Sequence, residues 1–343
     1  MRVVVADDSR LMRRILADAL GRQGFDVVAT AADGDEALDA CRAHRPDAMT
    51  LDLHMPGMDG IGVLRALKQG KAEPVPVVVV SAFSPAHGAR AVDALAEGAF
   101  ELVAKPAFGE PLDTFTSELG RKVGEAAGNR PHPPRVRRPA AKTIARRPEH
   151  RRTAVAGKKV VVIACSTGGP KALGELIPKL PSPLGAGTVI VQHMPAGFTA
   201  SLATRLNSSS PLSVREATGG ETLDAAVALL APGGAHLRLD GTRHAHLSDD
   251  APVGGLKPRA DFTIEDAAKQ FGARMLLVVL TGMGRDGLEG AKAVRAAGGR
   301  ILVEAESTCT VYGMPRAVAE AGLADEVLPL HELAGAIVRE AGR

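Results

Sequence analysis

At residues 159–176 the chain reads KVVVIACSTGGPKALGEL, an apolar run that breaks at a serine and two glycines and resumes as a helical pattern. Ser166 therefore stands at a turn between a buried strand and a helix start. A serine hydroxyl is a weak nucleophile near neutral pH. It needs a base within hydrogen-bond reach, and the base needs an orienting acid. Two later strand ends offer them: His193 closes TVIVQH, and MLLVVLTG runs into MGRDG, which carries Asp286. The small residues of STGG leave N–H groups free at a helix start, where they can stabilise an oxyanion or hold a nucleotide phosphate. The stretch CSTGGPKA fits neither common glycine-rich phosphate motif. G-x-S-x-G is absent, and the order Ser, His, Asp is not that of the α/β-hydrolases. Cys165 is a rival nucleophile beside Ser166, although a small apolar residue closing a buried strand is the plainer reading.

A second set of reactive side chains lies in the first third of the chain. Asp7 and Asp8 follow the first apolar run, Asp52 ends the third in TLDLHMPGMDG, Ser81 ends the fourth, and Lys105 follows the fifth. Ligands of open parallel sheets sit beyond the carboxyl ends of the strands, so these groups converge. Clustered carboxylates repel one another unless a cation sits among them, and hard oxygen ligands favour Mg²⁺. One carboxylate could then attack a phosphoryl donor and become an aspartyl phosphate, with Lys105 and Ser81 holding the new oxygens.

The elements that must position these groups follow the same plan in both halves. RVVVAD, DVVATA, AMTLDL, PVVVVSA and FELVAK alternate with helical patterns such as SRLMRRILADALGRQG and GDEALDACRAHR. In the second half VVVIAC, TVIVQH, ARMLLVVLTG and GRILVEA repeat the logic. Strands alternating with helices predict parallel sheets covered on both faces, an α/β fold. AHLRLDGTRHAHLSD differs: a DG turn between alternating residues predicts an antiparallel hairpin attached to the second sheet. His244 and His246 share one face of it, where a metal could bind, although strand-surface residues are the plainer reading.

Between the halves lies a proline- and arginine-rich stretch. Residues 130–159 carry a formal charge of +10, so the rest of the 343-residue chain carries −7 against +3 overall. The basic pI is thus local, which weakens a nucleic-acid reading. With few large apolar residues this stretch predicts a mobile spacer. The expected boundaries are residues 1–125, a linker over 126–156, and 157–343. Three widely spaced cysteines give neither a disulfide framework nor a zinc spacing. No apolar run is long enough to span a membrane or to form a signal-peptide core, so a cytoplasmic location is expected.

Two resemblances follow. With its DD pair, LDLHMPGMDG, VVVVSA and AKP, the first 120 or so residues resemble the receiver domain of bacterial two-component response regulators. That implies a flavodoxin-like fold and Asp52 as phosphoacceptor. It implies Asp8, Asp52 and the backbone carbonyl of His54 as Mg²⁺ ligands with Asp7 beside them, and Ser81 and Lys105 as switch and phosphate contacts. Receivers often carry Tyr or Phe three residues before the lysine, where this chain has Leu102. By strand alternation Phe100 shares its face. The second half, with CSTGGP, VQHMPAGFTASLATRLN, TGMGRDG and VYGMPRAV, resembles the catalytic domain of chemotaxis protein-glutamate methylesterases. That implies Ser166 as nucleophile, His193 as base, Asp286 as orienting acid, and Thr167 with the Met283 N–H near the oxyanion. The expected substrate is a glutamate γ-methyl ester on a chemoreceptor, with glutamine deamidation as a second activity, a histidine kinase as phosphodonor and no cofactor for the ester chemistry. Where the family often has PSVD, this chain has PRAD, residues 258–261. Two other readings are a non-catalytic interaction module and a nucleotide-dependent enzyme that uses the STGG turn.

Overall fold

The computed structural model describes residues 1–82, 85–106, 112–129, 157–241 and 243–342. The first unit runs β1 (Arg2–Ala6), α1 (Arg10–Arg22), β2 (Asp26–Ala31), α2 (Gly34–His44), β3 (Ala48–Leu51), α3 (Gly60–Lys68), β4 (Val77–Ser81), α4 (Pro85–Ala96), β5 (Glu101–Ala104) and α5 (Leu112–Gly128). Its sheet has the order β2-β1-β3-β4-β5, with parallel pairs throughout. That is the flavodoxin-like order, whose ligand crevice opens beyond the carboxyl ends of β1 and β3. Side-chain caps start α2 and α3: Asp33 accepts from the Glu36 N–H at 2.9 Å, and Asp59 from the Gly62 N–H at 2.8 Å.

The second unit runs β6 (Val160–Cys165), α6 (Gly169–Leu176), β7 (Thr188–Gln192), α7 (Phe198–Ser209), β8 (Ser213–Glu216), β9 (Val227–Leu230), β10 (His236–Leu239), β11 (Ala245–Ser248), α8 (Ala260–Phe271), β12 (Met275–Val279), α9 (Leu288–Ala296), β13 (Arg300–Glu304), α10 (Met314–Glu320), β14 (Glu326–Leu328) and α11 (Leu330–Ala341). Among the described residues a seven-stranded parallel sheet has the order β14-β13-β12-β6-β7-β9-β8. β6 is the switch point: the chain leaves it for β7 on one side and later returns to β12 on the other. The expected hairpin is present as β10 and β11, but it forms its own two-stranded sheet rather than joining the large one. Its connection spans residues 240–244, longer than a two-residue turn.

Both sheets are covered on two faces, which explains the near-continuous apolar strands. Val4 and Ala6 feed one core of the first unit, Val3 and Val5 the other. Val161, Ile163 and Cys165 alternate likewise with Val160, Val162 and Ala164. Strand alternation fails for Phe100, which lies one residue ahead of β5. It packs with Val103 on the face opposite Leu102. The two units touch along α4, which packs on α6 and α7, and the first core runs continuously across that contact. The expected boundary at residue 125 falls inside the last turn of α5. Residues 130–156, most of the expected linker, lie outside the described residues.

Candidate active site

In the parallel register of β6 and β7, Cys165 pairs with Gln192. Ser166 and His193 are therefore the next residues of two neighbouring strands. The Gln192 amide ties them, donating to the Ser166 carbonyl at 3.0 Å and the His193 carbonyl at 2.8 Å. On the other side of β6, the Ser166 N–H donates to the Thr281 carbonyl at 3.0 Å, just beyond β12. His193 Nε2 lies 2.7 Å from Asp286 Oδ2. With Nε2 so engaged, Nδ1 is the ring nitrogen left for a second partner. Ser166 Oγ itself has no hydrogen-bond partner among the described residues. Bonds of this kind often close only in a substrate complex.

Asp286 is almost wholly buried. It accepts from the N–H groups of Ala260 at 2.6 Å and Asp261 at 3.0 Å, the first residues of α8. Burial pushes its carboxyl up, but His193 and these donors outweigh burial and hold it well below the usual carboxylate range. The charged form is thus fixed opposite the imidazole. Cys165 is wholly buried, and burial pushes its thiol far above the ordinary range, so it is no thiolate nucleophile.

Thr167 and Met283 flank Ser166 on the two loops that could face an oxyanion. The Thr281–Gly284 turn is braced from behind. Val311 and Thr281 exchange hydrogen bonds, and the Gly313 and Met314 N–H groups donate to the Gly282 carbonyl at 3.1 and 2.8 Å. A side chain at Gly282 would stand 2.8 Å from Ser166 Cβ, so only glycine lets this turn press on the nucleophile loop. Glu304, wholly buried at the end of β13, accepts from the Thr281 N–H at 2.8 Å. Gln192, Thr281 and Glu304 were not foreseen from sequence. Their signal is weak, since each is only a polar residue ending an apolar strand.

The first unit reaches this site. Thr167 Oγ1 donates to Glu101 Oε2 of β5 at 2.8 Å, and Met283 and Val311 pack into the core that holds Phe100 and Phe115. Arg205 of α7 pairs with Asp93 of α4. Gly88 of α4 faces α7 so closely that a side chain there would stand 2.8 Å from Ser201 Oγ.

At the carboxyl edge of the first sheet, the carboxylate oxygens of Asp7, Asp8 and Asp52 lie within 4.8 Å of one another. Lys105 Nζ stands 2.7 Å from both Asp7 Oδ2 and Asp52 Oδ2. Burial works against the lysine charge, but these two partners win and raise it. Burial likewise raises Asp7, against the pull of Lys105. Three carboxylates gathered at one edge, two of them buried and with a single lysine between those two, fit a hard divalent cation. Ser81 is fully buried at the end of β4, and the His54 ring meets His87 edge-on at 4.3 Å. His244 and His246 belong to no metal-ligating cluster among the described residues.

Comparison with known proteins agrees in both halves. Residues 3–114 match the family model for the response regulator receiver domain, and residues 161–337 that for the CheB methylesterase. A protein-glutamate methylesterase/protein-glutamine glutaminase of Symbiobacterium thermophilum is 42% identical, with 100% of this chain and 97% of that one covered. One of Myxococcus xanthus is 43% identical over 96% of this chain and 95% of the other. The crystal structure of the Thermotoga maritima CheB methylesterase catalytic domain superposes with a TM-score of 0.52 at 42% identity, covering 54% of this chain and 99% of that one. The serine turn, the buried His–Asp contact and these matches have one reading: the chain belongs to the CheB methylesterase family, with a response-regulator receiver domain ahead of the esterase unit.

Proposed function

We propose that this chain hydrolyses glutamate γ-methyl esters on chemoreceptors, releasing methanol, and deamidates receptor glutamines by the same route. Ser166 Oγ attacks the ester carbonyl carbon while His193 takes its proton. The imidazolium is stabilised by Asp286 and then protonates the departing methoxide. Water, deprotonated by His193, attacks the γ-glutamyl ester of Ser166, and the glutamate carboxylate leaves as Ser166 recovers its proton. The N–H groups of Thr167 and Met283 receive the oxyanion. A glutamine substrate releases ammonia instead. The observation that carries this reading is the 2.7 Å contact between the buried Asp286 and His193, which follows the strand next to that of Ser166.

In the same proposal Asp52 accepts a phosphoryl group from a histidine kinase. Asp7, Asp8, Asp52 and the His54 carbonyl would hold Mg²⁺, which would supply neutralising charge at the phosphoryl oxygens. Lys105 and Ser81 bind those oxygens. Ser81 ends the strand that leads into α4, and Lys105 follows β5, the two elements that lie against the esterase unit. Phosphorylation thus biases that contact and opens the site. In this reading the receiver unit ends with α5 at Gly128 rather than at residue 125, a linker follows to residue 156, and the esterase unit is 157–343.

The test is methanol release from a methylated receptor signalling fragment, with and without a small-molecule phosphodonor and Mg²⁺. Release that rises with the donor and vanishes in Ser166→Ala supports both halves of the proposal. Release that ignores the donor removes the regulatory half, and release that survives Ser166→Ala removes the triad.

A further inference from the structure

Arg259 takes no part in the route above, yet it lies against its most buried member. It precedes α8 in the PRAD stretch. Its Nη2 donates to Asp261 Oδ2 at 2.7 Å, and its Nε stands 3.6 Å from Asp286 Oδ1. Asp261 and Asp286 hold each other's helices. Asp286 accepts from the first two N–H groups of α8. Asp261 accepts from the N–H groups of Gly287 and Gly290, at 2.8 and 2.9 Å, at the start of α9. Both carboxylates are only 3% exposed. Among the described residues the charged groups that pair with these two acids are His193 from the loop after β7 and Arg259 itself. His236 of β10 faces Arg259, taking its backbone N–H on Nδ1 at 3.1 Å.

The Gly287 N–H donates to both carboxylates, at 2.8 Å to Asp261 Oδ1 and 3.0 Å to Asp286 Oδ1. Two buried carboxylates that share a donor cannot both stay ionised without a cation, since like charges push one of them to keep a proton. We propose that Arg259 and Asp261 are positioning residues for the triad carboxylate: Asp261 locks the Asp286 loop to α8, and Arg259 keeps a proton from being shared between the two acids. This rests on the proposed role of Asp286. Burial, aided by the neighbouring Asp286 charge, already pushes Asp261 up to about 6 against the pull of Gly290 and Arg259. Loss of the guanidinium moves that proton further into the working range, where it dilutes the negative charge facing His193.

The experiment is the pH dependence of kcat and kcat/KM for methanol release by the full chain with phosphodonor and Mg²⁺ present. Arg259→Gln keeps a hydrogen-bond donor for Asp261 and removes the charge. Its kcat is expected to fall about tenfold near neutral pH, one pK unit of interaction, with KM little changed. Its acid limb should move to higher pH, because the Asp261 proton is held longer once the guanidinium is gone. Asp261→Asn in that background keeps an acceptor for α9 and removes the second acid, and it should restore both the position of the limb and the rate. Arg259→Lys should leave the limb where the parent chain has it. A wild-type profile in Arg259→Gln overturns the proposal, as does a fall in kcat with no change of limb. If that variant does not fold, failure of the double variant to regain activity overturns it too. Ser166→Ala in the same assay separates the two readings. Activity surviving there removes the triad, whereas a dead Ser166→Ala beside an unaltered Arg259→Gln removes only the present proposal.

Discussion

Asp286 can serve as an orienting acid because two N–H groups of α8 and the His193 ring fix its charge in a buried place. Asp286→Asn keeps the shape and loses the charge. It is expected to lower kcat about 10³–10⁴-fold with little change in KM, as read by methanol release. Asp7 presents the opposite case. Its folded value is raised by burial, so without a metal its favourable contribution is complete only below the unfolded value near ~3.9. That contribution is lost as pH rises through the folded value, leaving a cost at neutral pH. Asp7→Asn should therefore raise the metal-free melting temperature at pH 7, while Mg²⁺, which should stabilise the parent chain, gives the variant little. Calorimetry with and without Mg²⁺ checks both statements. A variant that melts lower without metal would refute the first.

At the scale of elements, α4 is both the neighbour of the phosphorylation edge and the helix seated on α6 and α7. Gly88 permits that seat, since a side chain there meets Ser201. Gly88→Leu should prise the helices apart. The expected result is a basal rate that climbs toward the phosphodonor-stimulated rate, with a correspondingly smaller response to the donor. Initial rates with and without donor decide it, and an unchanged ratio would place the restraint elsewhere. Glu101 offers a second handle at the same interface. Its carboxylate holds the Thr167 hydroxyl, so Glu101→Ala should raise basal turnover without altering Asp52 phosphorylation, measured by acyl-phosphate labelling.

For the whole molecule, two units share apolar cores and bring Glu101 to Thr167, beside a Ser166 that is buried. Removing residues 1–156 should raise methanol release at least to the stimulated level of the intact chain. Release that stays level or falls would mean that the first unit aids the esterase rather than covering it. Among the described residues no helix is long and apolar enough to cross a membrane. The apolar faces of α4 and α7 are buried in the core that spans both units.

The sequence by itself determined the alternation of strands and helices, because strands buried on both faces must be apolar almost throughout. It also determined which residues end those strands, and hence that Ser166, His193, Asp286, Asp7, Asp52, Ser81 and Lys105 stand at carboxyl edges. Local pattern carries that much, since a strand end and a helix start are both written within a few residues. What lay beyond it depends on contacts between distant segments. The hairpin's separation from the large sheet and the side taken by Phe100 are set by packing, not by alternation. Gln192 tying two loops, Thr281 and Val311 bracing a third, and Arg259 between two buried acids arise only when β6, β7, β12 and α8 meet. Nothing within any one segment distinguishes these residues from ordinary polar ones, and only the folded chain gives each its partner.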